Sequence, residues 1–144
     1  MYPRLVQAML KDTQPNTLVR VARWVEENKK AVIVTKPAVF VALAVVQQIV
    51  ARLGEEGSWT SMLERMVRSH LDQNMDCSSK QSILVTAALH PVGHLLAREL
   101  VSNVKYVGEK TKMDVMTVLA CEVDRLSADK FGAVVLKGLA ESAI

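Results

Sequence analysis

Half of this 144-residue chain is hydrophobic and only 4% is aromatic, so it can bury one aliphatic core and needs no second domain. A formal charge of +3 and an isoelectric point near 9.0 permit contact with a polyanion but exclude a protein driven by a strongly basic tail. The opening Met1-Tyr2-Pro3-Arg4 lacks the apolar stretch of a secretory signal, and the most apolar run, 38–46, closed by Lys36 and Arg52, is too short to span a bilayer, so a soluble intracellular protein with no membrane partner is expected.

Apolar spacing predicts an all-α chain of about eight helices in a single domain, 1–144. The first helix covers roughly 3–12. Asn16 caps the second, which carries Leu18, Val21 and Val25 on one face and ends near Lys30. The one β-like run, "KAVIVT" (30–35), is short and isolated, and it reads as a helix end entering a turn. A third helix starts at Pro37 and is stopped by Gly54. Ser58 caps a fourth, with Met62, Leu63, Met66 and Val67 at helical spacing. Ser78 or Ser79 caps a fifth that runs through Leu84 to Leu89, and Pro91 opens a sixth. Thr111 caps a seventh, with Asp114 in the capping-box position. Ser127 opens an eighth that begins at Asp129 and runs to the end. The connecting loops, 54–57, 74–78 and 108–110, are short, which makes sequential helices antiparallel neighbours.

A search for catalytic chemistry finds nothing. No phosphate-binding glycine loop is present. Cys77 has Lys80 nearby and precedes a helix, yet no His–acid partner is implied. The chain is therefore not expected to be an enzyme or to need a cofactor. Cys77 and Cys121 form no CxxC pair and are expected to be free thiols in a reducing compartment. His90 and His94 are four apart, but Pro91 makes His90 the N-cap, off the helix; no HExxH and no third ligand accompany them, so no metal site is expected. Trp24, Trp59, Met62/Met66 and Met113/Met116 read as core. Lys29, Lys30 and Lys36 read as a solvated turn, and Lys105 as a cation at a helix C-terminus.

Three stretches line up: "KPAVFVALAVV" from Lys36, "HPVGHLLAREL" from His90 and "DKFGAVVLKGL" from Asp129. Their starts lie 54 and 39 residues apart. The second spacing fits a helical repeat of about 35–45 residues. Pro91 suits the first helical position, where its missing N–H costs nothing. Gly93 and Gly132, at the fourth place, allow close approach of a neighbour.

"LSADKFGAVVLKGL" resembles the second half of a Pumilio (PUF) repeat. "LHPVGHLLAREL" is similar to the His-Pro-small-Gly-His-Leu stretch of the nucleolar Pumilio-like proteins, the Puf-A/Penguin group with a CPL region. "NTLVRVARWVEENKKAVIVTKPAVFVALAVVQQI" follows the same group's order of helix, turn and repeat helix. The resemblance covers most of 16–142 and implies a right-handed α-solenoid of PUF-like repeats. Members are several times longer, so it also implies further N-terminal PUF repeats ahead of this part.

By that resemblance, the base-reading positions are the fifth, sixth and ninth of each stretch: Phe40, Val41 and Ala44; His94, Leu95 and Arg98; Ala133, Val134 and Lys137. The edge-reading pairs are missing, and the stacking place holds Val41, Leu95 or Val134. Arg98 and Lys137 suit phosphates instead, which supply affinity without sequence choice. The candidate nucleic-acid contacts are therefore Arg98, Lys137, His94, Lys130 and Lys105. The family implies a factor of large-ribosomal-subunit assembly in the nucleolus of the nucleus, binding pre-rRNA or DNA without a sequence code, beside pre-ribosomal proteins. The alternative is a protein-binding α-solenoid that does not bind nucleic acid.

Overall fold

A computed structural model describes residues 15–55, 58–71 and 82–143. The expected helix at 3–12, the Ser78/Ser79 cap and Cys77 lie outside them. Among the described residues the chain is all-helical, and its helices fall into three units of the same build. Each unit has a thirteen-residue helix, then a short one of four or six residues, then one of ten to sixteen. The first unit is α1 (Pro15–Glu27), α2 (Lys29–Val32) and α3 (Lys36–Ala51). The second is α4 (Trp59–Leu71), α5 (Ile83–Ala88) and α6 (Gly93–Ser102). The third is α7 (Glu109–Cys121), α8 (Val123–Ala128) and α9 (Lys130–Ala143). A 3-10 turn, Val104–Tyr106, joins the second unit to the third.

The buried positions explain the arrangement. Helix α1 buries Leu18, Ala22 and Val25, and α4 buries Leu63, Met66, Val67 and Leu71. Both are stripes at helical spacing with polar residues behind them, as half-covered helices require. Helix α3 is apolar almost all round and buries Val39, Ala42, Ala44, Val45, Val46 and Ile49. Equivalent helices of successive units touch: α1 meets α4 and α4 meets α7, while α3 meets α6 and α6 meets α9. One continuous apolar cluster runs through all three units. Each fully buried Leu or Ile in it contributes about 1.5–3 kcal/mol of transfer free energy.

The α1–α4–α7 layer is tied by charge. Glu26 accepts two hydrogen bonds from Arg65, each 3.2 Å. Arg68 donates to Asp114 across 2.6 Å. Glu64 accepts from the Gly108 N–H (3.1 Å) and from the Thr111 hydroxyl (3.2 Å), so a carboxylate on α4 caps the first turn of α7. This corrects the expected capping box. Thr111 is not the N-cap of its helix but a buried residue inside the first turn, and Asp114 is spent on Arg68.

Other boundaries shift for local reasons. The second expected helix breaks at Asn28, whose side-chain amide donates to the Trp24 carbonyl, and a short α2 follows. "KAVIVT" does end a helix and enter a turn. Ser82 accepts from the Val85 N–H and caps α5. The eighth expected helix is preceded by α8, and Asp129 rather than Ser127 caps α9; the Ser127 hydroxyl donates to the Asp124 carbonyl. Trp59 and Met66 are core, as expected, but Trp24 is 46% exposed, Met113 55% and Met116 37%. The expectation of free thiols fails at Cys121, which is disulfide-bonded.

Candidate nucleic-acid interface

The site is built at the start of the third helix of each unit. At α6 the His90 Nδ1 accepts the N–H groups of Val92 (3.0 Å) and Gly93 (3.1 Å), so the ring is a helix cap as its place before Pro91 predicts. At α9 the Asp129 Oδ1 accepts the N–H groups of Phe131 (2.8 Å) and Gly132 (3.0 Å) in the same pattern. At α3 the capping residue is Thr35. Its carbonyl accepts the Val39 N–H, just as the His90 and Asp129 carbonyls accept those of His94 and Ala133.

This fixes the register of the three stretches. Thr35, His90 and Asp129 are equivalent, so the alignment that began at Lys36 is late by one residue. The fifth, sixth and ninth positions of the first stretch are then Val39, Phe40 and Leu43. Ala44, expected to face outward, is fully buried, whereas Leu43 is half-buried and lines a groove with Arg98. In the corrected register the fourth place is small in all three units: Ala38, Gly93 and Gly132. The reason is steric. A Cβ on Gly93 would stand 2.6 Å from the Ile33 carbonyl oxygen, and one on Gly132 would stand 2.6 Å from that of Leu126.

The structure brings four of the five candidate contacts to one pair of neighbouring helices. His94 and Arg98 are on α6, and Lys130 and Lys137 are on α9. The His94 ring stacks on Phe131 with centroids 4.7 Å apart and planes inclined by 29°. The Lys130 Nζ lies 5.0 Å from the centre of the Phe131 ring, within cation–π range. Arg98 runs beside α9 so closely that a Cβ on Gly138 would sit 3.1 Å from its Cγ. Lys137 is the preceding residue and is exposed. No carboxylate lies within ion-pair distance of Arg98, Lys130 or Lys137 among the described residues, in contrast to Arg65, Arg68 and Lys110. Lys105 stands apart on the 3-10 turn, its Nζ 5.3 Å from the centre of the Tyr106 ring.

Between α3 and α6 runs a groove of about 320 Å³ lined by Leu43, Gln47, Leu95, Arg98, Glu99 and Ser102. Burial pushes the Glu99 carboxyl above the ordinary glutamate range, while the Arg98 charge and a hydrogen bond with Gln47 pull the other way. Sequence reasoning missed Phe131, Gln47 and Glu99. Phe131 left a trace, since it is an aromatic in the first turn of a repeat helix beside a lysine. Gln47 and Glu99 left none, because their proximity exists only once α3 and α6 pack.

The two histidines share no ligand geometry. His94 presents its Nδ1 to the His90 carbonyl at 3.1 Å, and a carbonyl can only accept, so that nitrogen holds its proton. Among the described residues no three His, Cys, Asp or Glu gather as a metal site would require, and no helix is long and apolar enough to cross a membrane. Comparison with protein-family models, with curated proteins and with solved structures finds no match.

Proposed function

We propose that this protein is a non-catalytic helical-repeat scaffold, a right-handed α-solenoid of PUF-like units, that holds RNA or DNA by its phosphates without a base code. In that reading it resembles nucleolar factors of large-subunit assembly acting on pre-rRNA. The observation that carries it is the α6/α9 seam, where Arg98, Lys130 and Lys137 stand on adjacent helices with no carboxylate within ion-pair distance among the described residues, the Arg98 charge acting on Glu99 only from further off. The third helices of the units, α3, α6 and α9, carry Lys36, Arg98, Lys130 and Lys137 against Glu99 and Glu141, so that layer is net positive. Repetition of the helix triplet and contact between equivalent helices support the solenoid. The disulfide at Cys121 pulls against a nucleolar setting, because disulfides are rare in reducing nuclear compartments. The binding chemistry, and not the compartment, is therefore the substance of the proposal.

The test is fluorescence anisotropy with labelled homopolymers of different sequence between 50 and 200 mM salt. Affinity should fall steeply with salt and hardly vary with sequence. The double variant Arg98→Glu, Lys137→Glu should flatten the slope of log K against log salt by about 1.4, two phosphates' worth on a single strand. Salt-independent or strongly sequence-selective binding refutes the proposal. Binding to none of the polymers moves the protein to the protein-binding class.

A further inference from the structure

We propose that Glu99 gates the phosphate site of the α6/α9 seam: a phosphate that reaches Arg98 is accepted together with a proton from solvent, which settles on the Glu99 carboxyl. The inference rests on the reading of that seam as a phosphate-binding surface and adds how the site is regulated. Its ground is the groove between α3 and α6. Arg98 and Glu99 are neighbours in the chain, yet both line that groove, beside Gln47, Ser102 and the apolar Leu43 and Leu95. The Arg98 side chain is exposed, whereas Glu99 is half-buried. An anion drawn to the guanidinium therefore meets a carboxyl that is partly withdrawn from water.

Nothing nearby neutralises that carboxyl. Among the described residues no cation stands within ion-pair distance of Glu99. The elements that pack closely on α6 are α3, α5, α9 and the 3-10 turn. Helix α3 brings Gln47, which hydrogen-bonds the carboxyl; its one charged residue, Lys36, is at the opposite end. Helix α5 carries no charge. Helix α9 carries Lys130, Lys137 and Glu141, and the turn carries Lys105 and Tyr106, but none of these lines the groove. On α6 itself the other titratable groups are His94 and Arg98. Burial already pushes the Glu99 carboxyl up, against the Arg98 charge and the Gln47 hydrogen bond. A bound phosphate adds a second negative charge in a half-buried groove, where salt screens weakly, and pushes it further. By linkage, the phosphate binds more tightly once Glu99 is neutral. The gain is fully present below the carboxyl's value in the free protein and is lost as pH rises through its value in the complex. Repulsion between two unit charges sharing one groove at a protein surface costs roughly threefold to tenfold in affinity.

The experiment measures binding of a twelve-nucleotide oligo(dT), whose bases take up no proton in this range, between pH 7.5 and 4.5 at fixed salt. Wild type should bind more tightly as pH falls. Glu99→Gln should bind roughly threefold to tenfold more tightly than wild type at pH 7.5, and the two should converge towards pH 4.5. Their ratio cancels the other titrating groups, His94 included. Gln47→Leu removes a hydrogen bond to the charged form, so its loss of affinity should come at higher pH than in wild type. Calorimetry in buffers of different ionisation heat counts the protons directly, and wild type should take up more than Glu99→Gln does. Melting curves at each pH restrict the comparison to folded protein. If Glu99→Gln matches wild type in affinity and proton uptake at every pH, or is tighter by the same factor throughout, the gate is wrong and the phosphate seam stands. A Gln47→Leu midpoint no higher than that of wild type also overturns the gate. If neither wild type nor Glu99→Gln binds at any pH, the seam itself fails.

Discussion

Replacing Gly132 with alanine tests the packing at the head of the repeat helices most directly. Alanine is the better helix former by about 1 kcal/mol, so at an open helical site the change stabilises. Here the new Cβ would stand 2.6 Å from the Leu126 carbonyl oxygen and 2.8 Å from its Cα, and both are backbone atoms. Ordinary contact begins at 3.4 Å, so α8 would have to retreat by about 0.8 Å from a helix against which it is packed. Overpacking of this kind costs typically 1–3 kcal/mol, and a rigid obstacle places it towards the upper end. After the gain in propensity, a net loss of about 1–2 kcal/mol remains, or roughly 3–8 °C in Tm for a domain of this size. Calorimetry and urea titration would read it, with Gly54→Ala as control. Gly54 is exposed, its backbone is not left-handed and no atom lies within 4 Å of its added Cβ, so alanine there should hold or raise the melting point. Gly132→Ala melting at or above wild type would refute the account of why the fourth place is small.

Two further outcomes follow from the polar network. Arg68→Ala removes the 2.6 Å partner of Asp114, which is nearly buried, and leaves only Lys110 at 3.7 Å; a loss of about 1–2 kcal/mol in urea titration is expected, partly recovered in the double variant with Asp114→Ala. The Glu99 carboxyl is raised by burial, so its neutral form is favoured in the folded state, and its contribution is fully present below the unfolded value near 4.5 and lost as pH rises through the folded one. Glu99→Gln should therefore melt higher than wild type at pH 7, with the gap closing towards pH 4; a gap independent of pH would show that the carboxyl's charge is not the cause.

Much of the fold was legible because it is written in local chemistry. His90 before Pro91, the glycines at the fourth place and the stripes of α1 and α4 each follow from residues within a few positions of one another. What escaped was set by residues far apart in the chain. Thr111 with Asp114 has the form of a capping box, but Glu64 and Arg68, more than forty positions earlier, claim both side chains. Pro37 resembles Pro91, and that likeness drew the first repeat out of register by one. Only the Thr35 carbonyl, bonded to the Val39 N–H, shows where the helix begins. Met113 and Met116 have core spacing, yet the outer side of α7 meets no further helix among the described residues. Of the candidate interface, the basic positions were visible in the sequence, while the ring pair depends on α6 and α9 lying side by side.

The ties of the α1–α4–α7 row have a mechanical consequence. That wall is fastened by ions: Glu26 with Arg65 and Asp114 with Arg68. The opposite row, α3–α6–α9, is held by aliphatic side chains, with no ion pair across it among the described residues. Dissolved salt screens the first kind of fastening, and sulfate or phosphate strengthens the second. A single change of solvent composition therefore acts unequally on the two rows, loosening one while tightening the other.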